Sequence, residues 1–156
     1  MQSPSPLEEM VCFSLYAASR AVSQAYRAVL AESDLTYPQF LVLLSLRHEG
    51  ESSVSDLGVT MHLDSGTLSP LLQRLEGRGL LTRQRRRGNE RVVDVSLTTS
   101  GRELIDEVGV DVECLSPAYG IEPGELHDLL VKLHRITAGM TELTGSLRAP
   151  ETSLGR

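Results

Sequence analysis

The chain contains no tryptophan, two phenylalanines and four tyrosines among 156 residues, so aromatic packing is sparse and each tyrosine stands out. Lysine is nearly absent: fourteen of the fifteen basic residues are arginine, the exception being Lys132. Cysteine is limited to Cys12 and Cys114, 102 positions apart, with no Cys-x-x-Cys. That spacing excludes a disulfide-stapled framework and a zinc ribbon, and leaves two thiols that could equally be inert packing residues. His48, His62, His127 and His134 form no ligand cluster, so neither a metal nor a cofactor is expected. The longest apolar run, Phe40 to Leu44, is far short of the ~20 residues of a membrane span. The start, MQSPSPLEEM, is acidic and lacks a basic region followed by an apolar one, so the sequence predicts a cytoplasmic protein with no membrane partner.

What is present is an uneven charge. The net is −6, yet residues 53–102 hold eight arginines (74, 78, 83, 85, 86, 87, 91, 102) against five acids (Asp56, Asp64, Glu76, Glu90, Asp94). A segment of net +3 between acidic ends points to a polyanionic partner for the middle of the chain.

The patterning is mostly helical. Ser5-Pro6-Leu7-Glu8 has the form of a capping box, followed by apolar Val11, Leu15, Ala18, Val22, Ala25 and Val29 at spacings of four and three, which predicts a helix over about 6–31. Thr36 and Pro38 open a second helix to about Arg47, apolar nearly all round and so central. Short helices are expected at about 53–60 and 64–77, with Ser53 and Asp64 as caps and Gly79 as a stop. Leu80–Thr82 and Arg91–Leu97 read as strands, separated by a polar Arg83–Glu90 connection containing Gly88-Asn89. Thr98 caps a helix to about Leu115. Pro117–Pro123 is a loop, a last helix covers about 123–147 with a leucine-rich stripe, and 149–156 is a flexible tail.

The expected fold is therefore mainly α with a small β-wing: a single domain over 1–156, with a winged helix-turn-helix at about 37–98. Helices at about 6–31 and 99–147 carry apolar stripes suited to burial in a symmetric homodimer. In the helix-turn-helix, Val54, Leu57 and Met61 share one face of the first helix. In the second, Leu68, Leu71, Leu72 and Leu75 face inward, while Ser65, Thr67, Ser69, Gln73 and Arg74 face outward, where small polar groups at a helix start suit a major groove. Arg85, Arg86, Arg87 and Arg91 lie on or beside the hairpin turn, placed to enter a minor groove. The expected DNA partner is a double-stranded pseudo-palindromic operator with half-site centres roughly 10 base pairs apart.

At this point the chain resembles the MarR family of winged-helix regulators. The stretch DSGTLSPLLQRLEGRGLLTRQRRRGNERVVDVSLTTSGREL is similar to that family's recognition helix, wing and following helix, including its Leu-Thr-x-x-Gly at Leu97, Thr98 and Gly101. VCFSLYAASRAVSQAYRAVL, LTYPQFLVLLSL and LDSGTLSPLL most resemble the organic hydroperoxide resistance regulators, OhrR, of the two-cysteine type. The resemblance implies a reactive Cys12 supported by Tyr16, Tyr26 and Tyr37, the last two supplied by the partner subunit, and a resolving Cys114. Tyr16, four residues after Cys12, shares its helix face and could donate its hydroxyl to the sulfur. Cys12 lies seven positions past the Ser5 cap, where a helix dipole gives little help. The family's wing tip usually reads Asp-Glu-Arg. Here it is Asn89-Glu90-Arg91, and Asn89 cannot form the charged pair with the wing arginine.

The function so implied is a DNA-binding repressor that releases its operator when an organic hydroperoxide oxidises Cys12. Two other readings remain. One is a repressor of the same family released by a small phenolic or aromatic ligand, with Cys12 structural. The other is a thiol peroxidase using Cys12 and Cys114; no histidine or acid is positioned to assist the thiol, so the chain is expected not to be an enzyme.

Overall fold

The computed structural model describes residues 6, 7 and 9–148, and the chain divides into two compact units, 1–116 and 117–156. The first unit runs α1 (Val11–Val29), α2 (Tyr37–Glu49), β1 (Ser52–Ser53), α3 (Val54–Met61), α4 (Ser65–Gly77), β2 (Leu81–Arg86), β3 (Asn89–Leu97) and α5 (Thr99–Glu113). The second holds α6 (Pro123–Arg148), preceded by a 3-10 turn at Ser116–Tyr119. The three strands form one antiparallel sheet in the order β1-β3-β2. This is the helical, small-sheet fold anticipated from the pattern.

Each helix start in the first unit after α1 is closed by a side chain, which satisfies N–H groups that have no partner inside the helix. Thr36 accepts from the Gln39 amide while Gln39 Oε1 accepts from the Thr36 amide at 2.9 Å, a reciprocal capping box. Ser53 caps α3, Asp64 caps α4 and Thr98 caps α5, accepting from Asp56, Thr67 and Gly101 respectively. The junction of α3 and α4 turns at His62, which holds a left-handed φ of 52°. α2 lies at the centre, burying Phe40, Val42, Leu43 and Leu46. Around it pack Leu57 of α3, Leu68, Leu72 and Leu75 of α4, Leu81 and Val95 of the sheet, and Ile105 and Val108 of α5. Fully burying one such side chain is worth about 1.5–3 kcal/mol, so this cluster is the main support of the unit.

Three boundaries differ from the sequence reading. α1 begins at Val11, not near residue 6, with Met10 in the cap position and no side-chain cap. Ser5 and Glu8 of the anticipated capping box, like the tail at 149–156, fall outside the described residues. The Arg-rich connection is mostly strand: β2 continues through Arg86 and β3 starts at Asn89, leaving Arg87-Gly88 as the turn, with Gly88 at φ 84°. β1 was not anticipated; Ser52 and Ser53 pair with Val95 and Asp94, anchoring the start of α3 to the sheet.

Candidate nucleic-acid interface and thiol site

The reading helix α4 is held by its inner face. Leu68, Leu72 and Leu75 are buried and Leu71 is half-buried, so Ser65, Thr67, Ser69, Gln73 and Arg74 are turned to solvent, on the outer face the sequence assigned them. Pro70 lies within the helix, in its second turn. The N-cap is strongly made: Asp64 accepts from the Thr67 amide at 2.9 Å and from the Thr67 hydroxyl at 3.1 Å, and these bonds, the backbone one first, hold its carboxyl below the usual range. The hydroxyl hydrogen of Thr67 is thus directed at Asp64, and toward solvent Thr67 offers a methyl and an acceptor.

The wing is braced by two ion pairs. Arg83 donates to Glu76 Oε2 from Nε and Nη2 (2.9 and 2.6 Å), tying β2 to the end of α4. Arg86 donates to both oxygens of Asp94 at 2.9 and 2.6 Å, across the hairpin. The arginine hydrogen bond is the first cause holding each of Glu76 and Asp94 below the ordinary carboxylate range. Such forked arginine–carboxylate pairs fix geometry as well as charge. Of the four wing arginines expected at DNA, Arg86 is therefore engaged within the hairpin. Arg85, Arg87 and Arg91 are exposed and make no ion pair among the described residues. Asn89 acts on the backbone: its Oδ1 accepts from the Arg91 amide at 3.3 Å, leaving the Arg91 guanidinium unrestrained by an acid.

The thiols are apart from this surface. Both Cys12 and Cys114 are free and exposed. The later start of α1 changes the setting of Cys12. It is the second residue of the helix, within the first turn and not two turns in. Tyr16 is exposed, and its hydroxyl accepts from Arg20 Nη1 at 3.0 Å; no hydrogen bond joins it to Cys12 among the described residues. Tyr26 and Tyr37 are in contact with ring centroids 4.4 Å apart and planes tilted by 45°, and Tyr26 also meets Phe40, so these two side chains meet where α1 passes α2. Cys114 caps the C-terminus of α5. Among the described residues no group of His, Cys, Asp or Glu is gathered to hold a metal ion, and no helix is long and apolar enough to cross a membrane.

A capped, polar-faced reading helix followed by a β2–β3 hairpin wing defines a winged-helix DNA-binding protein. The family model for the transcriptional regulator SarA/Rot matches residues 24–108, and the chain belongs to this family of MarR-type winged-helix regulators. It is 39% identical over 137 residues to the organic hydroperoxide resistance transcriptional regulator of Bacillus subtilis, covering 83% of this chain and 92% of the relative. Among solved structures it is similar to AbfR of Staphylococcus epidermidis, at 30% identity and a TM-score of 0.75 over 87% of this chain and 94% of that one. AbfR has been solved reduced and overoxidised on DNA, and with a disulfide formed. It is also similar to BpsR of Bordetella bronchiseptica, whose DNA binding is regulated by 6-hydroxynicotinic acid, at 28% identity and a TM-score of 0.77 over 86% of this chain and 98% of that one. These relatives are regulators that act on DNA, and this chain is a transcriptional regulator.

Proposed function

We propose that the chain is a dimeric repressor in the cytoplasm that binds a pseudo-palindromic operator and releases it when an organic hydroperoxide oxidises Cys12. The observation that carries this reading is Cys12 itself: an accessible free thiol in the first turn of α1, in a chain 39% identical to a relative named for organic hydroperoxide resistance. The thiolate attacks the outer peroxide oxygen, the O–O bond breaks, and the alkoxide leaves and takes a proton, giving Cys12 sulfenic acid and an alcohol. The Cys114 thiolate then attacks the Cys12 sulfur, forming S–S, breaking S–O and releasing water once the hydroxide is protonated. Tyr16, Tyr26 and Tyr37 are assigned the role of donors that support the thiolate, the latter two from the partner subunit. Ser65, Thr67, Ser69, Gln73 and Arg74 are assigned to the major groove, and Arg85, Arg87 and Arg91 to the backbone and minor groove.

Dimerisation is supported by faces left uncovered in the single chain. α1 buries no residue, with Val11 64% exposed, and α6 exposes Leu126, Leu130, Met140, Leu143 and Leu147. Exposed apolar surface of this extent marks an interaction surface, and an obligate symmetric dimer is the simplest way to cover it. Sedimentation at micromolar concentration should give a dimer; a stable folded monomer refutes the assignment.

The test of sensing is operator binding before and after cumene hydroperoxide. Wild type should release DNA and run as a covalent dimer on a non-reducing gel, and Cys12→Ser should do neither. Loss of the covalent dimer but normal release in Cys114→Ser would remove Cys114 from the mechanism and leave a small thiol as the partner of Cys12. Equal release of Cys12→Ser would overturn the peroxide reading in favour of a small aromatic effector, the mode that the BpsR likeness supports.

A further inference from the structure

The end of the reading helix is joined to two other elements through three consecutive residues. Arg78, the C-cap of α4, donates from Nη1 to the Asp34 carbonyl at 2.6 Å and from Nη2 to the Ser33 carbonyl at 3.0 Å. Both carbonyls belong to the elbow between α1 and α2, 44 and 45 residues away in sequence. Gly79 accepts from the Thr98 hydroxyl at 2.7 Å, and Leu80 accepts from the Thr98 amide at 3.1 Å, which fixes the same point to the start of α5.

The elbow is a stiff receiver. Ser33 donates to Leu30 O, Asp34 to Ala31 O and Leu35 to Leu30 O, Asp34 holds a left-handed φ of 49°, and Leu30 and Leu35 are buried. Two charge-assisted bonds to such an elbow transmit position, because neither end can yield without breaking other bonds. Arg78 was not among the residues assigned to DNA.

We propose that Arg78 is a positioning residue that fixes the reading helix to the α1–α2 elbow, so that the placement of each reading head on the operator follows α1. The proposal rests on the dimeric DNA-binding part of the function above and not on the peroxide chemistry. It implies that wild type holds its two heads at one spacing, and that removing the guanidinium frees each head from α1 while the core of the unit stays intact.

The test uses the full-length protein and the pseudo-palindrome it selects from a random DNA pool, together with the same duplex carrying one inserted base pair between half-sites. Wild type should strongly prefer the original duplex. Arg78→Ala should reduce that preference by about threefold to thirtyfold, and Arg78→Lys, which keeps the charge and N–H donors on one nitrogen but loses the planar fork, should restore part of it. A variant that was merely less stable would lose affinity for both duplexes alike and keep the preference, and that result overturns the proposal. A drop on both duplexes with a salt slope shallower by about one would make Arg78 a phosphate contact instead and also overturn it. A parallel arm with cumene hydroperoxide separates the two readings. If wild type does not release DNA the sensing reading fails, while the spacing comparison still decides the role of Arg78.

Discussion

Replacing Gly101 by alanine should be among the most damaging single-methyl changes in the chain. A Cβ built on Gly101 would lie 1.9 Å from Leu80 O, 2.9 Å from its carbonyl carbon and 3.3 Å from its Cα. The obstacle is backbone, so no rotamer change relieves it, and α5 would have to retreat by roughly 1 Å, the kind of overpacking that costs about 1–3 kcal/mol. The retreat pulls on the Thr98 amide bond to Leu80 and the Thr98 hydroxyl bond to Gly79, each worth about 1 kcal/mol net. Together these predict about 2–4 kcal/mol, against a total of about 5–15 for a native domain. At about 2–4 °C per kcal/mol the melting point should fall by roughly 5–15 °C. Urea unfolding at fixed protein concentration checks this, with Ser100→Ala, an exposed neighbour in the same helix turn, as the control. A Gly101→Ala variant within about 0.5 kcal/mol of wild type, in the range of an ordinary surface change, would refute the account of the α5 docking point.

Glu76, Asp94 and Asp106 are each held below the ordinary carboxylate range, first by a hydrogen bond from Arg83, Arg86 and Arg47 respectively. A lowered folded value adds stability that is complete above the unfolded value, about 4, and disappears as pH falls through the folded one. The urea midpoint should therefore decline between about pH 5 and pH 2, less steeply in Glu76→Gln. Removing Arg91 should weaken operator binding by about 1–3 kcal/mol if it reads the minor groove; unchanged affinity by fluorescence anisotropy would remove it from the interface. Asp94→Asn should reach DNA binding indirectly, by releasing Arg86 and loosening the hairpin, seen as faster amide exchange across β2 and β3.

Much of the fold was legible because its signals are local. Thr36 with Gln39, and Asp64 three residues before Thr67, announce helix starts through side chains that bond within one turn. The Leu-Thr-x-x-Gly string was visible as a motif, but the reason for its glycine was not, since Leu80 lies twenty-one positions earlier. The strand content of Arg83–Arg86 was hidden because arginines on successive positions erase the period of two, and the ladder with Val93, Val95 and Asp94 supplies what the pattern lacks. β1 is two serines with no periodicity, defined wholly by its partner strand. At the candidate sites, outward residues of α4 could be assigned from helix geometry alone. The commitment of Arg86 to Asp94 and of Arg78 to two distant carbonyls could not, because an arginine in a basic run looks the same whether it faces a phosphate or its own chain.

That division among the arginines bears on how DNA binding responds to ionic strength. Of the eight between residues 53 and 102, Arg78, Arg83 and Arg86 bond to their own chain, and Arg74, Arg85, Arg87 and Arg91 are exposed residues of the reading helix and wing with no ion pair among the described residues. Each phosphate neutralised releases condensed counterions and adds about −0.9 to the slope of log K against log salt. In the proposed dimer, those four guanidiniums per chain give a slope no steeper than about −7, well short of what the raw arginine count would give. Between 50 and 200 mM salt that corresponds to a loss of about four decades in affinity, so the occupied fraction of a DNA site will depend steeply on ionic strength.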